Sequence, residues 1–106
     1  MKKLKAVLID PETETVQDVE VENDLHALQE IVGGYIETVS YARNSKHVLI
    51  VNEEGTFRSF KVFAIKTNKS PFITVIHGKA LMVNVNRDDF ADADIDAKAV
   101  EKIVVW

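Results

Sequence analysis

The sequence predicts an α+β domain: a mostly antiparallel sheet of about five to seven strands, one helix at about residues 24–33 packed on it, and a short, weakly helical C-terminal segment. Three observations carry this. Short apolar runs recur along the chain, each closed by turn-forming residues. One run, Thr15 to Glu22, alternates as a half-wet strand does. One run, Leu25 to Val32, has helical spacing. At 106 residues, 46% of them apolar, the chain is one domain spanning 1–106 with enough apolar surface for a single core.

Leu4 to Ile9 reads as a buried strand ended by Asp10-Pro11-Glu12-Thr13. Thr15 to Glu22 places Val19 and Val21 on one face and Asp18, Glu20 and Glu22 on the other, so the two runs form a hairpin. Asn23 or Asp24 caps the helix that follows, where Leu25, Leu28, Ile31 and Val32 line one side, and Gly33-Gly34 ends it. Tyr35 to Tyr41 and His47 to Val51 read as strands joined by a loop at 42–46. Asn52-Glu53-Glu54-Gly55 reads as a hairpin turn with Gly55 available for positive φ, and Thr56 to Ile65 as the next strand. Phe72 to Ile76 fits a strand or a helical turn, Lys79 to Val85 a late strand, and Arg87 to Asp96 an acidic loop. Ala97 to Trp106 has weak helical character, with Val100, Ile103 and Val104 on one side.

The chain has no cysteine, which excludes disulfides, thiolate metal sites and a Cys nucleophile, and suits a reducing cytoplasm. The basic start and the run Ala6 to Ile9 are too short for a signal-peptide core or a membrane span. The net charge of −4 is unevenly spread. Between residues 41 and 87, Arg43, Lys46, Arg58, Lys61, Lys66, Lys69, Lys79 and Arg87 stand against only Glu53 and Glu54. A basic middle between acidic ends points to an anionic ligand or partner, solvated strand faces being the plainer alternative.

Catalytic and metal motifs fail in turn. Asp92, Asp94 and Asp96 alternate as in a calcium loop, but Ala97 stands where that loop bends on glycine and Ile103 where it needs glutamate. His26, His47 and His77 are far apart and form no metal-binding helix motif; His77 alone invites interest, because it abuts Gly78. No serine sits at a strained elbow, and Gly33-Gly34 lies at a helix end that offers carbonyls instead of phosphate-binding amides. Glu37, Glu53 and Glu54 are the one carboxylate set offered for acid–base chemistry, and adjacent glutamates in a turn are ordinarily just solvated. The run Phe57 to Phe63 mixes aromatics with cations, but alternation splits its aromatics between faces, so nucleic acid is not the expected partner. No catalytic residue, metal or cofactor is assigned.

The run Leu25-His26-Ala27-Leu28-Gln29-Glu30-Ile31-Val32-Gly33-Gly34-Tyr35-Ile36-Glu37, then Asn52-Glu53-Glu54-Gly55, then Ile76-His77-Gly78-Lys79-Ala80-Leu81-Met82-Val83, resembles an uncharacterised family of phages and mobile elements called domain of unknown function 3846. The opening strand ending in Ile9-Asp10-Pro11 fits too, so the resemblance covers roughly residues 1–85. Such proteins usually follow the Glu-Glu-Gly turn with a segment carrying an Asn two residues before an Ala, whereas Ser59 to Lys69 is apolar and basic. The resemblance implies a cytoplasmic protein of phage or mobile-element origin, a setting in which small accessory proteins counter host immunity. One route is to sequester a nucleotide signal, which takes affinity and no chemistry.

The leading expectation is therefore a non-enzymatic binding protein for a small anionic, nucleotide-like signal, as a homo-oligomer with sites at subunit interfaces. Arg43 and Arg58 are the phosphate-binding residues, because a planar guanidinium holds phosphate bidentately. Tyr35, Asn52 and Glu53 are polar and stacking contacts, with Tyr41, Phe60 or Phe63 as further stacking surfaces. Gly34 and Gly78 admit close backbone approach, and His77 stands beside the latter. The alternatives are an inhibitor that blocks a host enzyme through an acidic face, and a hydrolase of nucleotide signals.

Overall fold

A computed structural model of the chain describes residues 3–42, 45–68 and 70–106. Along it run β1 (Lys3–Asp10), β2 (Thr15–Glu22), α1 (Leu25–Val32), β3 (Ile36–Val39), β4 (His47–Asn52), a 3-10 turn (Gly55–Phe57), β5 (Val62–Ile65), β6 (Thr74–His77), β7 (Ala80–Asn86), β8 (Asp89–Ala91), α2 (Ala97–Glu101) and β9 (Val104–Val105). The main sheet has the order β2-β1-β7-β4-β3, with β8 joined to β7, and the second has the order β6-β5-β9. Every pairing is antiparallel. The fold is α+β, with a six-stranded main sheet and a smaller sheet built from segments of two to four residues.

The centre of the main sheet is covered on both faces, which is why its strands read as continuous apolar runs. Leu4 and Ala6 of β1, Ile50 of β4, and Leu81 and Val83 of β7 point toward α1 and bury Leu28 and Val32 between them. The alternate residues Val7, Ile9, Leu49, Val51 and Met82 point the other way, onto Phe63, Ile65 and Ile76 of the second sheet and Val100 of α2. Burial of Leu28 alone is worth about 2 kcal/mol.

Helix α1 begins and ends as its sequence dictates. Asp24 caps it, one carboxylate oxygen accepting the Ala27 amide at 2.9 Å. Gly33 closes it at φ 82°, its amide donating to the Gln29 carbonyl at 2.8 Å.

Four expectations change, one of them at the C-terminus, where helix stops at Glu101 and Val104–Val105 pairs with β5 as a strand instead of continuing the helix. The segment 52–55 does not turn a hairpin: β4 leads through the 3-10 turn into the second sheet, and the glycines with positive φ are Gly33 and Gly78. Gly55 is needed for proximity instead, since a Cβ there would lie 2.9 Å from the His77 carbonyl oxygen. The strand expected over 56–65 is regular only from Val62, so period-two alternation does not govern Phe57 to Lys61. The loop expected over 87–96 contains β8, reached through a tight turn with Arg87 at φ 59°.

Candidate functional site

The segment between the 3-10 turn and β5 builds one wall of a concavity that gathers three cations. Arg58 is extended, and its amide caps the turn by donating to the Gly55 carbonyl at 3.2 Å. Two residues on, the Phe60 ring carries the Arg58 guanidinium 5.2 Å above its centroid, a cation–π contact that orders a side chain otherwise free in solvent. Beneath the ring lies the β6–β7 connection, where the Gly78 amide donates to the Lys61 carbonyl at 2.9 Å. Gly78 has φ +91°, and a Cβ there would fall 2.8 Å from the Phe60 ring, so glycine alone lets the ring lie on the backbone.

This stack of Gly78, Phe60 and Arg58 forms one wall of a groove of about 280 Å³, with Lys61 and Lys79 beside it. The opposite wall is the end of α1, with Glu30, Val32 and Gly33, together with the Pro11-Glu12 turn. A helix C-terminus exposes carbonyls that repel anions, and two of them are engaged here. The Gln29 carbonyl accepts the amides of Gly33 and Gly34, and the Val32 carbonyl accepts the Asn52 side-chain amide at 3.1 Å.

Asn52 is buried, and both ends of its amide are in use: Nδ2 on Val32, and Oδ1 accepting the Glu54 amide at 2.7 Å. It fastens the end of α1 to the end of β4, and so supports the groove wall. A Cβ on Gly34 would lie 2.9 Å from Asn52 Nδ2, so this glycine makes room for Asn52. Tyr35 is 67% exposed, and its carbonyl accepts the Glu53 amide at 2.8 Å.

The residues expected at one site thus divide. Arg58 and Gly78 line the groove. Asn52, Glu53 and His77 surround a separate crevice of about 80 Å³ with Glu37, too small for a nucleotide. Arg43 lies outside the described residues. Of the stacking candidates, Phe60 is at the groove, whereas Phe63 is core and Tyr41 belongs to a different cluster. Lys61, Lys79 and Glu30 were not singled out for a site by their sequence context, because only the third dimension brings the turn before β5, the turn before β7 and the end of α1 together.

The other cluster is a polar chain. Asp94 Oδ1 lies 2.5 Å from His47 Nε2, and His47 Nδ1 lies 3.0 Å from the Tyr41 hydroxyl. A carboxylate can only accept, so Nε2 carries a proton and donates a hydrogen bond to Asp94, while the Tyr41 hydroxyl, beside Nδ1, also reaches Met82 Sδ at 3.9 Å. The hydrogen bonds from His47 and from the Asn84 amide hold the Asp94 carboxyl below its ordinary value. Burial pushes the Tyr41 phenol up, opposed by a hydrogen bond with Ser45 and reinforced by the Asp94 charge. His47 and Asn52 are opposite ends of one strand, about 17 Å apart at ordinary rise, so the chain of hydrogen bonds does not reach the groove.

The alternating aspartates also have structural work. Asp92 accepts the Lys5 amide at 2.8 Å, Asp94 holds His47, and Asp96 caps α2 by accepting the Ala99 amide at 2.9 Å. Among the described residues no three metal-ligating side chains converge. No described helix is long and apolar enough to cross a membrane.

Compared with known proteins, residues 1–104 match a family model described as a domain of unknown function, DUF3846. No curated protein and no solved structure matches the chain.

Proposed function

The chain belongs to the DUF3846 family, and from that membership and the geometry above we propose a non-enzymatic binding protein that sequesters a small anionic, nucleotide-like molecule in the groove of Arg58, Lys61 and Lys79. The observation that carries the reading is the convergence of these three cations, separated in sequence, on one concavity beside an aromatic ring. Arg58, pre-ordered on Phe60, presents its N–H edge to phosphate bidentately, while Lys61 and Lys79 act as adaptable point charges. The outer face of the guanidinium offers a flat surface for a base. Glu12 and Glu30 accept hydrogen bonds from ribose hydroxyls or base amino groups, which favours a nucleotide over bare phosphate.

The groove is small and local, which suits a mononucleotide-sized ligand better than the extended basic track of a nucleic-acid binder. Its described lining offers cations and carboxylates and contains no Ser, Tyr or His, which supports retention without turnover. In a phage or mobile-element setting, within the host cytoplasm, such retention withholds the signal from the host effector that it activates.

A separate observation favours a second reading, inhibition through an acidic face: Asp18, Glu20, Asp94 and Asp96 rim an open concavity of about 750 Å³. It is the weaker reading, because Asp18, Asp94 and Asp96 each already accept an internal hydrogen bond.

Incubation with a panel of cyclic nucleotides and ADP-ribose derivatives, then washing, heat denaturation and analysis of the released material, separates the alternatives. Intact ligand is the expected result. Altered ligand would establish a hydrolase, and retention of none of the compounds would overturn both sequestration and hydrolysis.

A further inference from the structure

We propose that the nucleotide held by the groove carries a cationic ring, a pyridinium base, as well as its phosphate; the inference rests on the groove reading above and narrows its ligand. The groove is lined by both signs of charge. Arg58, Lys61 and Lys79 stand along one wall, Glu12 and Glu30 along the other. Among the described residues the ion pairs are His26–Glu30 and His47–Asp94, so no groove cation is bridged to a groove carboxylate, and both sets remain open to a ligand. His26 lies one turn back on α1, 3.2 Å from Glu30, and outside the lining.

The helix adds to the negative wall. α1 ends at Val32 with no basic residue in its last turn, so nothing within the helix offsets the negative end of its dipole. The Gln29 and Val32 carbonyls are engaged, whereas those of Glu30 and Ile31 accept no hydrogen bond among the described residues. Two carboxylates and an open helix end favour positive charge at this wall, and a neutral base would answer them with hydrogen bonds only. The kind of cation follows from what lies beside the carboxylates. Pro11 and Ile31 line the same wall, an apolar surface that a strongly hydrated ammonium approaches only by shedding water. A delocalised ring cation lies flat on such atoms with carboxylates at its edge. Like charge keeps the ring off the Arg58 face, so the base sits on the α1 wall and the phosphate on the cationic one. At about 280 Å³ the groove takes one ring, one sugar and one phosphate.

Nicotinamide mononucleotide and its dihydro form share phosphate, sugar and carboxamide and differ by one hydride, hence by the positive charge of the ring. Calorimetric titration of both, and of adenosine monophosphate, into the full chain at low ionic strength and mildly alkaline pH, where imidazoles are neutral, isolates that charge. An exposed charge pair is worth roughly threefold in affinity, so the oxidised form should bind roughly three- to tenfold tighter than the reduced form. Replacing both carboxylates, Glu12→Gln with Glu30→Gln at exposed positions, should bring the two forms to within about twofold of each other. Arg58→Ala should weaken both forms and leave their ratio unchanged. Equal affinity of the wild type for the two forms, binding of adenosine monophosphate alone, or a preference that survives the double substitution would overturn the proposal and leave the groove reading standing. Binding of none of the three nucleotides would overturn the groove reading with it.

Discussion

Replacing Asn52 tests whether the groove wall is held as described. The side chain is 4% exposed and makes two hydrogen bonds, Nδ2 to the Val32 carbonyl at 3.1 Å and Oδ1 from the Glu54 amide at 2.7 Å. Each neutral bond contributes about 1 kcal/mol net, and a buried group left without a partner adds to the loss. Asn52→Ala should therefore cost roughly 2–3 kcal/mol, lowering the Tm by about 10–15 °C for a domain of this size. Asn52→Asp is the sharper probe. It keeps the acceptor for Glu54 but sets a buried carboxylate against the Val32 carbonyl, which raises the introduced carboxyl's pKa above its unfolded value. The variant's deficit should shrink as pH falls, because the protonated carboxyl can donate to Val32 and its stabilisation is present only on the acid side. Thermal melts of both variants over an acid-to-neutral pH series decide the matter. A near-wild-type Tm for Asn52→Ala, or a deficit of Asn52→Asp that does not change with pH, would refute the assigned hydrogen bonds.

Other predictions follow from the same geometry. Gly78→Ala combines positive φ with a Cβ 2.8 Å from the Phe60 ring, and should cost on the order of 1–3 kcal/mol in denaturant melts while weakening ligand retention through displacement of the Phe60–Arg58 stack. Gly34→Ala should also destabilise, since its Cβ meets Asn52 Nδ2 at 2.9 Å; a stability equal to wild type would contradict the packing there. The Asp94 carboxyl is held below its ordinary value of 3.8, first by the hydrogen bond with His47, so its contribution is present above that value and lost as pH falls through the depressed one. Asp94→Asn should accordingly flatten the acid limb of the stability profile, and an unchanged limb would show that the link to His47 does not form in solution.

Local chemistry was legible wherever neighbours in sequence decide the structure. The bounds Thr15–Glu22 of β2, a cap at Asn23 or Asp24 and a glycine end at Gly33-Gly34 follow from alternation, side-chain capping and backbone freedom, all written within a few residues, and the structure selects Asp24 and Gly33. The segment 52–61 misled for a physical reason. Asn-Glu-Glu-Gly has the composition of a hairpin turn, but Asn52 bonds to the end of α1 twenty residues back, and Gly55 is pressed against β6. The site was half legible. Arg58 and Gly78 carry intrinsic signals, a guanidinium of the type that suits phosphate and a glycine beside a strand, whereas Lys61 and Lys79 resemble any solvated lysine until the second sheet brings them together. The Tyr41–His47–Asp94 chain joins residues as much as 53 positions apart and left no local trace.

The most direct test of the central claim is calorimetric titration of a retained nucleotide into the wild type, Arg58→Ala and Lys98→Ala. Lys98 lies on α2, outside the groove lining, and controls for net charge. Loss of the charge-assisted bond from Arg58 should weaken binding by roughly 1.5–3 kcal/mol, about 10- to 150-fold in Kd, with Lys98→Ala indistinguishable from wild type. Equal weakening by both substitutions would reduce the effect to diffuse charge, and undiminished affinity in Arg58→Ala would place the ligand elsewhere on the protein.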